Sequence, residues 1–409
     1  MVLGLLACGP YGAWPDDETV FPWVYTPEEG LPAYADVRFE TETWSLEDDP
    51  ELAGYYLLKA ASHRTSAPVE SLAHFDQMRA AIPPLADGPH LSFAGDVMWL
   101  GENWEDALVP AAGLLDGDVR VGNLETPVAP SFPTDLQELP LYAFNAPVEY
   151  LDALPFDALQ LNNNHALDVG DEGLTETVEQ VALAGYVGTG VDTHAVVDLA
   201  GEPVALLSYT WGLNHPETPT THELFVVPFG HLDEDIDLQR IADDVAEARA
   251  AGRRAVVMVH WGYEYEYYAD PHFLVLGRRL VALGADLVVG SGPHVVQPPE
   301  LCYVNHPDVV PGVGTCSVRT DDGVSRTAAV LYSLGNFATM NPTVPVQVGI
   351  VGSVSFDEEG VSGLGWEAAV SRDGTDGRRV YPLADHLDDP DLAQESARLD
   401  AHLGVGWKR

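Results

Sequence analysis

The segment 255–264 reads AVVMVHWGYE, an apolar run that ends abruptly in an imidazole, a glycine and a carboxylate. A short apolar run bounded by polar residues and glycine is typical of a strand buried on both faces. The same pattern recurs along the chain after residue 90 and alternates with stretches of helical periodicity. This alternation predicts an α/β protein built on a layered sheet.

The other elements extend on both sides of this segment. The predicted strands are 91–94, 119–121, 158–161, 204–209, 255–259, 287–289, 328–332 and 346–356. The predicted helices lie near 174–184, 236–250 and 273–283, with an earlier one near 68–82. Residues whose side chains can bind a metal or transfer a proton follow the strands directly. They lie at the carboxyl ends, where α/β sheets usually build their sites.

Hard oxygen ligands follow the first two strands. Asp96 lies on a Gly-Asp turn, and Asn123 and Glu125 come two residues apart after the second strand. Carboxylate and amide oxygens are suitable ligands for Mn, Mg, Fe or Zn. A turn-capping role is the alternative for Asn123.

A polar run follows the third strand. Three consecutive amides, among them Asn163 and Asn164, are followed by His165 and then by Asp168. Three amides and an imidazole directly after an apolar strand have no obvious packing purpose. We therefore expect function here, although an isolated histidine is more often a structural hydrogen-bonding group.

Imidazoles also end two later strands. His260 ends the segment quoted above and Glu264 follows it, while His294 lies on a glycine-rich turn and is followed by Gln297. Asn336 closes the series at the end of another strand. A neutral imidazole at a buried strand end is a common metal ligand in proteins.

These elements resemble the bacterial capsule-synthesis CapA group, also called the poly-γ-glutamate synthesis or PgsA-type proteins, which is related to the calcineurin-like metallophosphoesterases. The likeness spans roughly residues 90 to 357. The matching motifs are Gly-Asp at 95–96, Asn-Leu-Glu at 123–125, Asn-Asn-His-Ala-Leu-Asp-x-Gly at 163–170, Gly-Leu-x-Glu-Thr from 173, His-Trp-Gly-x-Glu-Tyr from 260, Pro-His-x-x-Gln from 293 and Tyr-Ser-Leu-Gly-Asn-Phe from 332.

The resemblance implies a metallophosphoesterase-like two-sheet sandwich flanked by helices (α/β/β/α), with one or two divalent ions (Mn, Zn, Fe or Mg) at its mouth. The implied metal ligands are Asp96, Asn123, Glu125, Asn164, His260 and His294. Catalysis falls to His165, the acid that protonates the leaving group, and Asp168. The remaining members, which would bind substrate or support the ligands, are Asn163, Glu264, Asn336 and Gln297.

One position departs from the resemblance. The family usually has His-Pro-His where this chain has Gly292-Pro293-His294, and glycine offers no side-chain ligand. A competent two-metal enzyme, a one-metal or altered enzyme and a binding protein are therefore all open.

The resemblance implies a cell-envelope, metal-dependent hydrolase of phosphoesterase type. Its partners would be an anionic polymer such as poly-γ-glutamate, or a phosphoester. The alternative is a non-catalytic scaffold of a polymer-synthesis complex. A serine nucleophile is disfavoured because Ser291 lacks the Gly-x-Ser-x-Gly spacing.

The charge of the chain disfavours nucleic acid and anionic membrane surfaces as partners. Lys and Arg total 19 against 64 Asp and Glu, which gives a net charge of -45. Such a charge repels nucleic acid and anionic membrane surfaces. Because no apolar stretch reaches about 20 residues, a membrane contact is expected only through a lipid anchor.

The cysteines point to an extracytoplasmic location. Residues 5–9, Leu-Leu-Ala-Cys-Gly, look like a lipobox in which Cys8 would be lipidated, and a chance match is the alternative. Cys302 and Cys316 flank a Pro/Gly-rich loop and suit a disulfide, or else two unpaired thiols.

We expect four parts in the chain. They are a remnant of a lipoprotein signal at 1–8, an acidic extension at 9–88, a CapA-like domain at 89–357, and C-terminal strands with a helix that complete the domain at 358–409.

Overall fold

The structure is a computed structural model that describes residues 69–404, except 102, 135–142, 228–236, 270 and 376. The expected lipidation site at Cys8 and most of the 9–88 extension lie outside the described residues. None of the described helices is long and apolar enough to cross a membrane.

The described strands and helices alternate as the sequence predicts. The strands are β1 His90–Val97, β2 Val119–Leu124, β3 Ala158–Gln160, β4 Val187–Thr189, β5 Ala195–Leu199, β6 Glu202–Thr210, β7 Arg254–His260, β8 Leu287–Ser291, β9 Glu300–Val304, β10 Cys316–Val318, β11 Arg326–Leu331, β12 Asn336–Ala338, β13 Val348–Asp357, β14 Gly360–Gly374 and β15 Gly377–Pro382. The α-helices are α1 Val69–Ala81, α2 Gly170–Leu183, α3 Gln239–Ala250, α4 Pro271–Leu283, α5 Val344–Gln347 and α6 Pro390–Leu403. Short 3-10 helices lie at Val109–Leu114, Val148–Ala153 and Leu383–His386.

Hydrogen bonds join these strands into one 15-stranded network, in which eleven strands follow the order β4-β3-β2-β1-β13-β14-β11-β8-β7-β6-β5. The other four branch from this path: β9 pairs with β11, β10 with β9, β12 with β1 and β15 with β14. The network consists of two halves, because β11 and β14 are joined through a single residue pair, Thr327 with Gly360. Strands β1 to β4 are parallel to one another, and so are β6, β7, β8 and β11. The α/β class and the metallophosphoesterase-like architecture of a large sheet with flanking helices are confirmed.

The two halves of the sheet share one apolar core. Leu91 and Phe93 of β1 are fully buried in the same cluster as Leu206 of β6 and Val256 of β7. Their neighbours along β1 point to the opposite face, as the two-residue period of a strand requires. Ala94 lies there in a second cluster, which also includes Leu174 of α2.

The described end of the predicted extension packs into the domain. Phe75 and Met78 of α1 are 2% and 1% exposed and belong to the main core, whereas Leu72, at the same helical spacing, is 37% exposed. Ala86 also donates a backbone hydrogen bond to Ser355 of β13. Residues 69–88 therefore form part of the folded body.

Two details of the prediction differ from the structure. The strand predicted at 346–356 begins at Val348, because residues 344–347 form a helical turn with a proline in its first turn. Strands β4, β5, β9, β10 and β12 were not predicted. β9 and β10 pair in parallel with Cys302 opposite Cys316, and a disulfide joins the two residues, with the Cα atoms 4.5 Å apart.

Candidate metal centre

The strand ends that carry the predicted residues meet at one edge of the fold. In the register of the sheet, Asp96 of β1 lies opposite both Asn123 of β2 and Asn336 of β12. His260 of β7 lies opposite Ser291 of β8. Parallel pairing thus brings the carboxyl ends of both halves of the sheet to a common polar centre.

Asp96 is the most heavily bonded member of this centre. Its Oδ1 accepts a 2.8 Å hydrogen bond from Asn123, and its Oδ2 accepts a 3.3 Å bond from the backbone amide of Gly292. His294 Nδ1 lies 3.1 Å from the same Oδ2. Burial raises the pKa of Asp96, but the hydrogen bond and the positive charge of His294 outweigh it, so the pKa falls below its ordinary value. Asp96 is therefore a carboxylate that is held ionised.

Glu125 contrasts with Asp96 because both of its carboxyl oxygens are buried without a hydrogen-bond partner among the described residues. Its Oε1 lies 3.6 Å from His260 Nε2 and 3.9 Å from His165 Nε2, beyond hydrogen-bond distance. Burial, together with the negative charge of Asp96, raises the pKa of Glu125 well above its ordinary value. A buried polar atom without a partner costs about 1–3 kcal/mol and points to a missing ligand.

His260 is a buried, neutral imidazole of the centre. Burial lowers its pKa to about 3. Its Nδ1 lies 3.0 Å from Ser291 Oγ and 3.3 Å from Asn123 Nδ2. In the tautomer whose Nδ1–H donates to Ser291, Nε2 carries a lone pair that faces Glu125. This tautomer of the imidazole is the one that can ligate a cation through Nε2.

His294 adopts a backbone conformation that side chains rarely take, with φ at +59°. Its Nδ1 lies 3.0 Å from Asn336 Oδ1 as well as close to Asp96. Burial lowers the pKa of His294, but the negative charge of Glu125 and the hydrogen bond to Asp96 prevail and raise it to about 10. The surroundings of this imidazole therefore favour positive charge strongly.

A divalent cation fits this set of donors. Ligand atoms of Asp96, Glu125 and His294 lie within 4.8 Å of one another, and all three residues are buried. The unpaired oxygens of Glu125 and the negative field around His294 supply the attraction, and oxygen with imidazole nitrogen suits Mn, Zn, Fe or Mg.

Gly292 lies beside this set. Its φ is +106°, and a Cβ built on it would lie 2.7 Å from the backbone oxygen of Trp261 and 3.3 Å from His260 Nε2. A side chain at this position would therefore approach the imidazole of His260. Gly292 itself offers no side-chain donor beside His260.

His165 is oriented by Asp168. Its Nδ1 lies 2.7 Å from Asp168 Oδ2, which also accepts a 2.8 Å hydrogen bond from the backbone amide of Phe144. The ring of Phe144 packs against the imidazole with 4.6 Å between ring centroids. These contacts direct Nε2 of His165 toward Glu125.

The two predicted amides before His165 point in different directions. Asn163 donates to Asn123 Oδ1 at 3.1 Å and to the backbone oxygen of Leu124 at 2.8 Å, so it braces the centre. Asn164, which was predicted as a metal ligand, donates a 3.2 Å hydrogen bond to Asn214 through its side-chain nitrogen. Its side-chain oxygen, the atom that would ligate a metal, is buried without a hydrogen-bond partner among the described residues.

The remaining predicted residues lie around the centre. Glu264 Oε1 is 3.9 Å from His294 Nε2, at the partly exposed side. Asn336 uses its amide nitrogen to donate to the backbone oxygen of Val346, which fixes its oxygen against His294. Gln297 donates to the backbone oxygen of Glu266, outside the cluster of ligand atoms.

Three neighbours of the site were not predicted for it. Ser291 contacts His260, Asn214 contacts Asn164, and His215 Nε2 lies 3.9 Å from Asp168 Oδ1. Asn214 and His215 follow β6 as the other candidates follow their strands. The same rule of polar residues at strand ends, applied to β6, would have found them.

A family comparison agrees with this geometry. The family described as "Bacterial capsule synthesis protein PGA_cap" matches residues 90–341. The chain belongs to the PGA_cap family. The matched region begins at β1 and ends just before α5, so it includes every predicted metal ligand.

Several PGA_cap relatives have names that refer to polymer synthesis. The chain is 26% identical over 243 residues to "PGA biosynthesis protein CapA" of Bacillus subtilis (strain 168), covering 54% of this chain and 53% of the relative. It is 26% identical over 235 residues to "Capsule biosynthesis protein CapA" of Bacillus anthracis, covering 55% and 51%. It is also 32% identical over 169 residues to a "Probable polyglutamine synthesis accessory protein" of Mycobacterium tuberculosis (strain ATCC 25618 / H37Rv), covering 38% and 43%. The chain spans about half the length of these relatives.

Proposed function

We propose that this chain is a metal-dependent hydrolase of phosphoesterase type in the cell envelope. The observation that carries the proposal is the buried pair of unpartnered Glu125 oxygens beside Asp96 and His294. Nothing in a purely structural role explains why a carboxylate is buried there without a partner. A bound cation would explain it.

We assign the cation to Asp96, Glu125, His260 and His294. The amide nitrogen of Asn123 donates a hydrogen bond to Asp96, and its oxygen accepts one from Asn163. We therefore assign Asn123 the role of holding the Asp96 carboxylate. A divalent ion at this place would lower the pKa of water and offset negative charge on the substrate. That contribution matters because the contacts described for the site come from imidazoles, amides and carboxylates, without Lys or Arg.

His165 supplies the proton in this scheme. When water attacks phosphorus, the bond to the leaving-group oxygen breaks, and that oxygen takes the proton from His165 Nε2. The 2.7 Å contact of Nδ1 with Asp168 fixes the orientation of the ring. Asp168 is thus the positioning partner of the acid.

The link to a polymer comes from the relatives. Their names refer to the biosynthesis of PGA or of a capsule and to polyglutamine synthesis. From them we infer an envelope location and a role in making or processing an extracellular anionic polymer such as poly-γ-glutamate. A polymer-synthesis complex would be the natural partner.

A second candidate is a non-catalytic scaffold or binding protein of such a complex. The glycine at 292 favours it, because a donor is missing beside His260. The scaffold would need neither a bound ion nor turnover.

The deciding experiment combines metal analysis with hydrolysis of bis(p-nitrophenyl) phosphate under added Mn. We compare the wild type with the single variants His260→Ala and His165→Ala. His386→Ala is the control, because this histidine packs on Tyr381 away from the site.

The enzyme hypothesis expects one or two bound ions, loss of metal in His260→Ala, and retained metal without turnover in His165→Ala. The control variant should behave as the wild type. A wild type that binds no metal and hydrolyses nothing would favour the scaffold.

A further inference from the structure

The C-terminal helix α6 lies against the turn that carries His294, one of the residues to which the cation is assigned. This helix lies outside the region 90–341 that the PGA_cap family matches. Its residue Arg398 donates a 3.0 Å hydrogen bond from Nη1 to the backbone oxygen of Val296, two residues after His294. The proposed reaction assigns this contact no role.

The peptide unit that joins Val296 to Gln297 is held from both sides. Its oxygen accepts the hydrogen bond from Arg398, and its N–H, the amide of Gln297, donates a 3.1 Å hydrogen bond to the backbone oxygen of Ser333. Ser333 lies just beyond the end of β11. The turn 293–297 is therefore clamped between the sheet and α6.

The backbone of His294 needs such a clamp. Its φ of +59° is one that side chains rarely adopt, and such a conformation persists only where the surroundings fix it. On the side before His294, the backbone oxygen of Pro293 accepts a 2.8 Å hydrogen bond from the amide of Tyr265. On the side after it, Arg398 fixes Val296. A turn released on that side can relax, and the imidazole of His294 would then change its direction relative to the other cation ligands.

Arg398 is itself held in place by its neighbours. Its Nε donates a 2.6 Å hydrogen bond to Glu395, and its guanidinium carbon lies 4.2 Å from the centre of the Tyr267 ring. Nδ1 of His402 lies 3.2 Å from both the Val296 oxygen and Nη1 of Arg398, so it contacts the same pair of groups in either tautomer. A guanidinium with these three neighbours has little freedom to rotate, so it can fix the position of the carbonyl that it bonds.

We propose that Arg398 is a positioning residue of the metal centre, which acts on His294 through the backbone of Val296. The inference rests on the cation site of the proposed function. It deepens that function because it makes the affinity of the site depend on a helix outside the family-matched region.

The test compares Arg398→Met with Arg398→Lys in the full chain. Methionine has no hydrogen-bond donor, whereas lysine keeps a cationic donor on a side chain that is also long and unbranched. Asp389→Ala is the matched control. The Asp389 side chain caps the start of the same helix by accepting a 3.0 Å hydrogen bond from the amide of Asp391, so its loss weakens the helix without removing a contact of Val296.

Two quantities are measured: the affinity for Mn by calorimetry, and the rate of hydrogen exchange at the Gln297 amide in the metal-free chain. Arg398→Met should weaken Mn binding by about tenfold, the lower end of the range for groups that orient a metal ligand, and should accelerate the exchange. Arg398→Lys should lose less affinity than Arg398→Met. Asp389→Ala should keep the wild-type value of both quantities.

A wild-type Mn affinity in Arg398→Met, or an equal loss in Arg398→Lys or in Asp389→Ala, would overturn the positioning role. A cooperative thermal transition shows that each variant is folded. If Arg398→Met does not fold, His402→Ala takes its place and is compared with Asp389→Ala by the same criteria.

Failure of the proposed function gives a different result. A wild type that binds no Mn defeats the proposed function, and the exchange rate at Gln297 then decides the positioning role alone. A wild type that binds Mn but does not hydrolyse bis(p-nitrophenyl) phosphate defeats only the hydrolase, because the affinity comparison still stands. Retained turnover with equal Mn affinity in Arg398→Met and wild type defeats the positioning role alone.

Discussion

Replacement of Glu300 by Gln tests a buried ionic cluster that joins three elements of the fold. Glu300 of β9 is 0% exposed. Its carboxylate accepts hydrogen bonds from Arg278 of α4 at 2.5 and 3.0 Å and from the Tyr332 hydroxyl at 2.9 Å, and it contacts His74 of α1 at 2.6 Å. The cluster thus ties the helix before the first strand to the centre of the sheet.

The expected loss is large because glutamine keeps the shape of the side chain but removes its charge. Removal of one partner from a buried ion pair costs about 3–5 kcal/mol, since the other charge stays buried. Urea unfolding with the disulfide intact measures this difference in the free energy of unfolding. The control is Glu202→Gln, whose ion pair with Arg254 involves a carboxylate that is 63% exposed; an exposed pair contributes about 0–1 kcal/mol.

The effect should also depend on pH with a defined sign. Burial raises the pKa of Glu300, but the charge of Arg278 and the hydrogen bond with His74 outweigh it and hold the pKa well below the ordinary value of 4.5. A group with a depressed pKa contributes stability above its unfolded pKa and loses it as the pH falls toward the folded one. The difference in the free energy of unfolding between wild type and variant should therefore have its full size above pH 4.5 and become smaller below that pH. A loss no larger than that of the control at pH 7, or a gap that widens in acid, would refute the reasoning.

Two further predictions concern packing and cross-linking. Gly290→Ala should lower the thermal unfolding midpoint strongly, because the added Cβ would lie 2.0 Å from the backbone oxygen of Tyr332, whereas Gly113→Ala, with open space around it, should not. The double replacement of Cys302 and Cys316 by Ala should reduce the free energy of unfolding in urea by about 3 kcal/mol, the value for a closed loop of this length; an unchanged value would mean that the loop is already ordered in the unfolded chain.

The strands that carry the site could be predicted because each is a buried apolar run with a sharp polar end. β7 and β8 are buried along almost their whole length, and their last residues are His260 and Ser291. A strand covered on both faces does not alternate apolar and polar residues, so its continuous run of Val, Leu and Met is easy to recognise in the sequence. The polar residue that ends such a run then marks the edge of the sheet.

The shorter strands could not be predicted in this way. β4, β10 and β12 have three residues each, too few for a hydrophobic period to be recognised. β3 is equally short, but the polar run 162–165 directly after it marks its end. β5 alternates buried and exposed positions on the edge of the sheet, and its signal is weak because Val196 lies on the exposed face. These strands depend on their neighbours for pairing.

The direction of single amides could not be predicted either. Asn163 and Asn164 are consecutive, yet one braces Asn123 and the other contacts the loop at Asn214. In a turn, successive side chains follow no fixed period, so the choice depends on which backbone groups the turn leaves unpaired. Only the folded contacts show that Asn163 bonds to Asn123 and that Asn164 bonds to Asn214.

The charge balance of the centre connects its parts. Asp96 is held ionised, yet burial and the charge of Asp96 favour a proton on Glu125, and the same carboxylates favour one on His294. Without a cation, the centre compensates its negative charge with protons. A divalent ion provides that charge in one place, and it would displace those protons as it binds, so cation affinity should rise with pH. The missing side chain at Gly292 does not alter this argument, because the negative charge that demands a cation comes from Asp96 and Glu125.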